Sequence, residues 1–315
     1  MTAAEDRGLL RSTVAALIDK HASPAKVREA MSSARGYDEA LWSLLCEQVG
    51  VAALLLPEKF DGAGGELADA AAVLEELGRV LAPTPLLGTT LAQVALLAAD
   101  SPDVETLEGL ASGILIGTVI FDADYVVNGS IADVAIAATE GSLARWSAVR
   151  AEAADTMDPT RRLARLTPGA ATTIAADPGL ADTAALLLAA EQIGAATRCL
   201  ELTVDYCKER VQFGRPIGSF QALKHRLADL YVSVQSARAV VWDSISTPSP
   251  TSAALARLAA TEAFCSVAAE AIQMHGGIAI TWEHDVQLYF KRAHGSSQLL
   301  GPTRDQLRQL ESEVL

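Results

Sequence analysis

Hydrophobic residues recur at helical spacing through the first hundred positions of the chain. Val14 and Ile18 share one face of a predicted helix, and the ranges 38–49 and 70–81 repeat the amphipathic pattern. Two prolines that follow soon after residue 81 cannot continue a helix. Residues 1–106 are therefore predicted to form a helical N-terminal domain.

The pattern changes from about residue 107 to short apolar runs that are partly β-branched. Such runs, bounded by turn residues, are typical of strands. Strands are predicted at residues 114–121, 125–130, 132–138, 144–149 and 170–175. The range 155–163 is polar and contains a proline, so no strand is predicted there. These runs together indicate a small, reduced β domain at residues 107–178.

Long helical patterns return after residue 178. Helices are predicted at residues 181–210, 220–246 and 252–275, and a last helix begins near residue 302. Residues 179–315 are therefore predicted to form a C-terminal helical bundle. The order of a helical domain, a β domain and a bundle predicts an α+β fold that is mostly α.

Composition and charge exclude several classes of function. The net charge is −14 and no cluster of Lys and Arg occurs, so no nucleic acid is expected as a partner. The four cysteines form no C-x-x-C pair, and no two of the five histidines lie four residues apart. No metal site is therefore expected.

The start of the chain and its apolar runs predict a cytoplasmic protein. The first six residues include acidic positions, and no basic region followed by an apolar run marks a signal peptide. No apolar run is predicted to span a membrane. The cysteines are expected to be reduced thiols, as in the cytoplasm.

Two segments of the predicted bundle combine residues that suit a phosphate-containing ligand. Residues 210–221 read RVQFGRPIGSFQ, and residues 273–277 read QMHGG. A helix that starts at the end of the first segment offers free N–H groups, and an arginine supplies a planar fork for a pyrophosphate. A phenylalanine can pack beside an adenine, and glycines let the backbone approach a ligand closely. The candidate residues are Arg210, Phe213, Phe220, Gln221, Gln273, Gly276 and Gly277.

Either segment alone is more simply interpreted as a helix hairpin closed by glycine caps. Together they resemble signature stretches of the acyl-CoA dehydrogenase family, flavoenzymes that desaturate acyl thioesters, and residues 51–65 and 74–79 are similar to that family's helical N-terminal domain. The resemblance implies a helical domain, a β-barrel-like domain and a four-helix bundle that builds the oligomer. It also implies that the candidate residues contact the adenine and pyrophosphate of an FAD held partly by a neighbouring subunit.

The carboxylate base that this chemistry requires is missing. Dehydrogenation removes a proton next to the thioester carbonyl, and such a weak acid needs a placed carboxylate base. Similar enzymes place a Glu at one of two positions. Here Leu300 occupies the first position, and Ala184, followed by Ala185, occupies the second. Neither side chain can accept a proton, so no catalytic residue is predicted in this chain.

The middle domain also departs from the family. The segments that family members place against the flavin ring are absent, and Trp146 with Ser147 is the nearest remnant. The chain thus resembles the short, base-less subunit of heteromeric α2β2 actinobacterial acyl-CoA dehydrogenases for bulky, steroid-type thioesters. The resemblance implies a full-length partner subunit that carries the base, a shared FAD, and an acyl-CoA in the partner's site. It also implies an electron acceptor such as electron-transfer flavoprotein.

Two other hypotheses remain open. A self-sufficient homomeric dehydrogenase would need a displaced base, and Glu191, about two turns past Ala184, is the best candidate. A buried or interface glutamate within the bundle is the simpler interpretation of Glu191. The third hypothesis is a flavin-free scaffold that kept the fold, and the retained Arg210 and Gln273 argue against it.

Overall fold

The N-terminal part of the chain is helical, as predicted. The computed structural model describes residues 3–139 and 141–314. The N-terminal helices are α1 (Ala3–His21), α2 (Pro24–Ser32), α3 (Glu39–Leu44), α4 (Leu67–Arg79), α5 (Leu86–Leu97) and α6 (Val104–Ala111). Ser23, Asp38 and Asp103 cap α2, α3 and α6, since each side chain accepts hydrogen bonds from the first backbone N–H groups. The predicted boundary between residues 106 and 107 lies inside α6.

The middle of the chain forms two small sheets. The strands are β1 (Gly117–Ile120), β2 (Val126–Val127), β3 (Val134–Thr139), β4 (Ser142–Ser147), β5 (Arg150–Ala154), β6 (Leu163–Thr167) and β7 (Ala170–Ala176). The first sheet has the order β1-β3-β4-β7, with β1 and β3 parallel, and the second has the order β2-β6-β5. Side chains from both sheets, including Ile120 and Leu166, pack in one apolar cluster.

Every strand predicted from the sequence is present, although β2 is much shorter than the range 125–130. The structure adds β5 and β6, which the sequence analysis missed. The side chains of β5 are almost all exposed, so the strand carries no apolar alternation that a sequence pattern could reveal.

The C-terminal part is a bundle of long helices. It contains α7 (Leu180–Glu209), α8 (Gln221–Ser246), α9 (Pro250–His275), α10 (Val286–Gln298) and α11 (Thr303–Val314). A two-stranded hairpin of β8 (Val211–Gln212) and β9 (Arg215–Pro216) joins α7 to α8. Helix α10 was not predicted. The helix α9 packs on α7, α8, α10 and α11 and forms the centre of the bundle.

A close crossing of α4 and α7 joins the N-terminal helices to the bundle. A Cβ added to Gly194 would lie 1.8 Å from the Glu75 carbonyl oxygen, and one added to Gly78 would lie 2.1 Å from the Glu191 carbonyl oxygen. Only glycine permits this approach of two helix backbones. The stretch of α7 around the crossing is buried on all sides, which makes α7 the common core of both helical regions.

One described helical stretch, Pro250–Ile280, is long and apolar enough to cross a membrane by length and composition alone. A core helix of a soluble protein passes the same test, and this stretch is mainly α9 at the centre of the bundle. The four cysteines are free thiols. Within the described ranges, no group of three or more His, Cys, Asp or Glu side chains is placed to hold a metal ion.

Candidate functional site

The first predicted segment forms an exposed hairpin directly after α7. Phe213 and Gly214 form its two-residue turn with φ angles of 54° and 78°. A positive φ at a phenylalanine is strained, and this residue is 91% exposed, so the rest of the chain buries little of its ring. The Arg210 side chain is exposed, while its carbonyl accepts a hydrogen bond from the N–H of Ile217 at 2.8 Å. The hairpin thus presents Arg210 and Phe213 outward.

The N-terminus of α8 lies beside this hairpin. Phe220 is the cap residue, and no side-chain hydrogen bond satisfies the first N–H groups of this helix. The rings of Phe213 and Phe220 meet edge to face at 6.2 Å, and the Arg215 guanidinium lies 4.0 Å over the Phe220 ring. Gln221 is exposed and contacts His225 at 3.4 Å. Free N–H groups at the positive end of a helix dipole favour an anionic ligand.

The second predicted segment forms the end of α9. Gln273, Gly276 and Gly277 are exposed, and a Cβ on either glycine would meet nothing within 4 Å. Gly276 has φ 64° and ψ −143°, a backbone conformation that is essentially restricted to glycine. The turn therefore leaves open space directly above the backbone. Exposed hydrophobic side chains follow it at Ile278, Ile280 and Trp282.

An aromatic cluster brings the two segments to the same end of the bundle. The ring of Tyr206 stacks on His275 with centroids 4.2 Å apart, and its hydroxyl donates to the His275 carbonyl at 3.3 Å. His284 packs edge-on against His275 at 4.8 Å. Sequence reasoning missed this cluster, although Tyr206 lies one turn before Arg210 and His275 lies two residues after Gln273.

The two positions that lack the base lie in a different part of the structure. Leu300 lines a cavity of ≈ 700 Å³ between the β region and the end of α10. Leu300 and Ala185 also line a second cavity of ≈ 210 Å³, whereas Ala184 is fully buried. The carboxylates that line these cavities are Asp122, Asp155 and Asp182. Asp122 and Asp155 are exposed, and Leu300 itself offers no proton acceptor.

The remnant Trp146 lies outside both of these cavities. It is on β4, opposite Ala135 of β3, and packs against the small cluster between the sheets. The structure thus gives Trp146 a packing role in the β region.

Glu191 is buried in a network of ion pairs. Both of its carboxylate oxygens accept hydrogen bonds from Arg161, at 2.6 and 2.7 Å, and Arg292 also donates to it. Arg292 pairs in turn with Asp158 at 2.8 Å. Burial acts to raise the pKa of Glu191, but the two guanidinium groups outweigh it and hold this pKa below its usual range. A carboxylate held in this way is a poor proton acceptor.

Comparison with known proteins identifies two domains. Residues 4–113 match the family model for the acyl-CoA dehydrogenase N-terminal domain, and residues 179–315 match the model for the acyl-CoA dehydrogenase C-terminal domain. The chain is 69% identical over 310 residues to acyl-CoA dehydrogenase IpdE2 of Mycolicibacterium smegmatis, covering 98% of this chain and 99% of that relative.

Solved structures share the fold over nearly the whole chain. A variant of the Tcur3481–Tcur3483 steroid ACAD has a TM-score of 0.92 at 27% identity, covering 99% of this chain and 98% of that chain. The ChsE4–ChsE5 complex from Mycobacterium tuberculosis has a TM-score of 0.88 at 28% identity, covering 100% of this chain and 97% of that chain. The domain matches, the near-complete alignment with IpdE2 and the shared fold show that this chain belongs to the acyl-CoA dehydrogenase family of oxidoreductases.

Proposed function

We propose that this chain is the FAD-binding, non-catalytic subunit of a heteromeric acyl-CoA dehydrogenase. It holds the adenine and pyrophosphate of an FAD whose flavin ring lies in a complete partner subunit, and the partner supplies the base. The observation that carries this proposal is a contrast within one chain. The residues that suit the FAD tail are present and exposed, except that Phe220 is half-buried, while the position of the base is occupied by Leu300.

The residues at the hairpin end of the bundle fit an FAD tail. Among the described residues, Arg210 and Gln273 form no ion pair and no side-chain hydrogen bond, so their donors are available. Arg210 and the N-terminus of α8 would bind the pyrophosphate, and the Phe213 and Phe220 rings would pack near the adenine. The open backbone at Gly276 and Gly277 would let the tail approach closely.

The same end of the molecule offers a surface for the partner subunit. Phe213, Ile280 and Trp282 are exposed by 91%, 77% and 58% respectively. On α8, Tyr231 and Val232 are also more than half exposed. Such exposed hydrophobic side chains are typical of a protein interface. Two similar solved structures are each named after a pair of proteins, Tcur3481–Tcur3483 and ChsE4–ChsE5. This supports a second acyl-CoA dehydrogenase as the partner.

The reaction assigns different tasks to the two subunits. FAD, when bound, would supply a hydride acceptor for the β-carbon of the acyl-CoA, and the partner's carboxylate would remove the α-proton. This chain binds and orients the FAD tail and contributes bundle surface. We propose a bulky, steroid-type acyl-CoA as substrate, since the Tcur3481–Tcur3483 structure is named a steroid ACAD. An electron-transfer flavoprotein would reoxidise the flavin.

The visible spectrum tests the proposal. The chain is purified alone and also after co-expression with a full-length acyl-CoA dehydrogenase subunit. Yellow protein only in the co-purified complex, with about one FAD per pair of subunits, supports the shared site. Stoichiometric flavin in the lone chain that bleaches on addition of an acyl-CoA would falsify it and favour the homomeric alternative.

A further inference from the structure

The two halves of the proposed FAD-tail site come from different helices, and Tyr206 connects them. Arg210 directly follows α7, whereas Gln273 and Gly276 lie at the end of α9. Between these ends, the Tyr206 ring stacks on His275 at an interplanar angle of 22°. The Tyr206 hydroxyl also donates to the carbonyl of His275.

Each partner in this stack is joined through the backbone to one half of the site. The Tyr206 carbonyl accepts the N–H of Arg210 at 2.8 Å, which is the hydrogen bond that ends α7. His275 immediately precedes Gly276, and its Nδ1–H donates to the carbonyl of Ala271 at 2.8 Å. The orientation of the imidazole is therefore set within α9, and the Tyr206 backbone belongs to the last turn of α7.

His284 completes the cluster from the loop before α10. Its Nδ1 accepts the N–H of Val286 at 3.2 Å, and its ring lies 6.5 Å from that of Tyr206 in an edge-on arrangement. The Tyr206 ring is thus held by contacts from two separate segments. No other aromatic pair among the described residues joins α7 to α9.

We infer that Tyr206 is a positioning residue, which fixes the Arg210 hairpin relative to the Gln273–Gly277 turn so that both contact one FAD tail. This inference rests on the proposed function. A ligand that bridges two segments binds tightly only when their separation is set beforehand, because otherwise binding must also order them. The stack of Tyr206 on His275 would hold the two segments at a set separation without touching the ligand.

A double-mutant cycle tests the inference in the heteromeric complex. FAD dissociation constants are measured by flavin fluorescence for Tyr206→Leu, His275→Leu and the double variant. Each single variant loses the aromatic pair and is expected to bind FAD about tenfold more weakly. The double variant is expected to bind no more weakly than the worse single variant, because both remove one shared contact.

Conservative variants separate positioning from general destabilisation. Tyr206→Phe keeps the ring and should bind FAD within about threefold of the unaltered complex, since only one long hydrogen bond is lost. Tyr289→Phe is the matched control, because its hydroxyl also donates to a backbone carbonyl, that of Arg79, at a distance from the hairpin. Tyr289→Phe should leave the FAD affinity unchanged.

The outcomes distinguish this inference from the proposed function. If Arg210→Ala weakens FAD binding but both leucine variants bind FAD normally, the positioning role is wrong and the shared site stands. Additive losses in the double variant, or an equal loss in Tyr289→Phe, would also overturn the positioning role. If Arg210→Ala itself retains full FAD affinity, the proposed function fails first.

Discussion

The hairpin end of the bundle and the Glu191 network both contain arginines, yet their surroundings are opposite. Arg210 is exposed beside a strained turn and its side chain has no partner among the described residues, whereas Arg161 and Arg292 are buried and paired with carboxylates. A buried ion pair fixes the elements that supply it, while an unpaired arginine on an open surface remains available to a ligand. An arginine that is buried and paired with a carboxylate is therefore read as structural, and an exposed arginine without such a pair is read as a candidate for ligand binding.

Glu191→Gln is expected to have the largest effect of all, and the effect is on stability. Removing one partner of a buried ion pair leaves uncompensated charge, here mainly on Arg161 because Arg292 keeps its pair with Asp158, and costs about 3–5 kcal/mol. Urea unfolding of the complex measures this loss. Glu29→Gln, in an exposed pair with Lys26, should leave the unfolding free energy nearly unchanged. Normal stability with abolished turnover would instead identify Glu191 as a base.

Arg210→Ala should have the next largest effect, and it should act on cofactor affinity. The loss of charge-assisted hydrogen bonds to a pyrophosphate predicts FAD binding weakened about 10- to 100-fold. Equilibrium dialysis of the complex with FAD gives the affinity. Arg150→Ala, which removes an exposed arginine from β5, is the matched control for charge. Equal affinities in the two variants would contradict the role of Arg210.

Lowering the pH should destabilise the aromatic cluster at the hairpin end of the bundle, with a smaller effect than either substitution above. Burial lowers the pKa of His275 and of His284 from 6.5, so folding disfavours the charged form of both imidazoles. The unfolded chain binds more protons below that value, so this contribution to stability is present above about pH 6.5 and is lost as the pH falls. Tyr206, Arg28 and Asp285 are the other titratable or charged groups around the pair.

FAD retention and thermal unfolding of the complex, compared at about pH 7.5 and about pH 5.5, measure this effect. His275→Phe keeps an aromatic partner for Tyr206 and should reduce the pH dependence. An unchanged pH profile in this variant would show that other groups titrate.

Leu300→Glu should have the smallest effect. The substitution restores a carboxylate at the position of the missing base, but the lone chain should still not reduce a dye with any acyl-CoA. The remnant Trp146 packs within the β region, and no flavin ring site is rebuilt by one residue. Dye reduction by the lone variant would show that this chain retains a complete flavin site. The unaltered chain is the control.

The sequence predicted the long helices α7, α8 and α9, because their hydrophobic pattern is local. The binding role of the candidate residues at their ends stays a prediction. The sequence could not predict the Glu191 network, whose members Arg161 and Arg292 lie 30 and 101 positions from Glu191. Helix α10 was missed for a related reason. Its buried face includes Gln287, Arg292 and Ser296, so polar residues occupy positions that a hydrophobic pattern would require. Only the fold shows which polar residues meet.

The unbroken length of α7 separates the two features that the proposed function contrasts. Ala184 lies near the start of this 30-residue helix and Arg210 directly after its end, so about 40 Å of helix separates them. A substitution at the start of the helix therefore leaves the surroundings of Arg210 unchanged. A chain with this geometry can lack a carboxylate at Ala184 and still present Arg210 to a ligand at the opposite end.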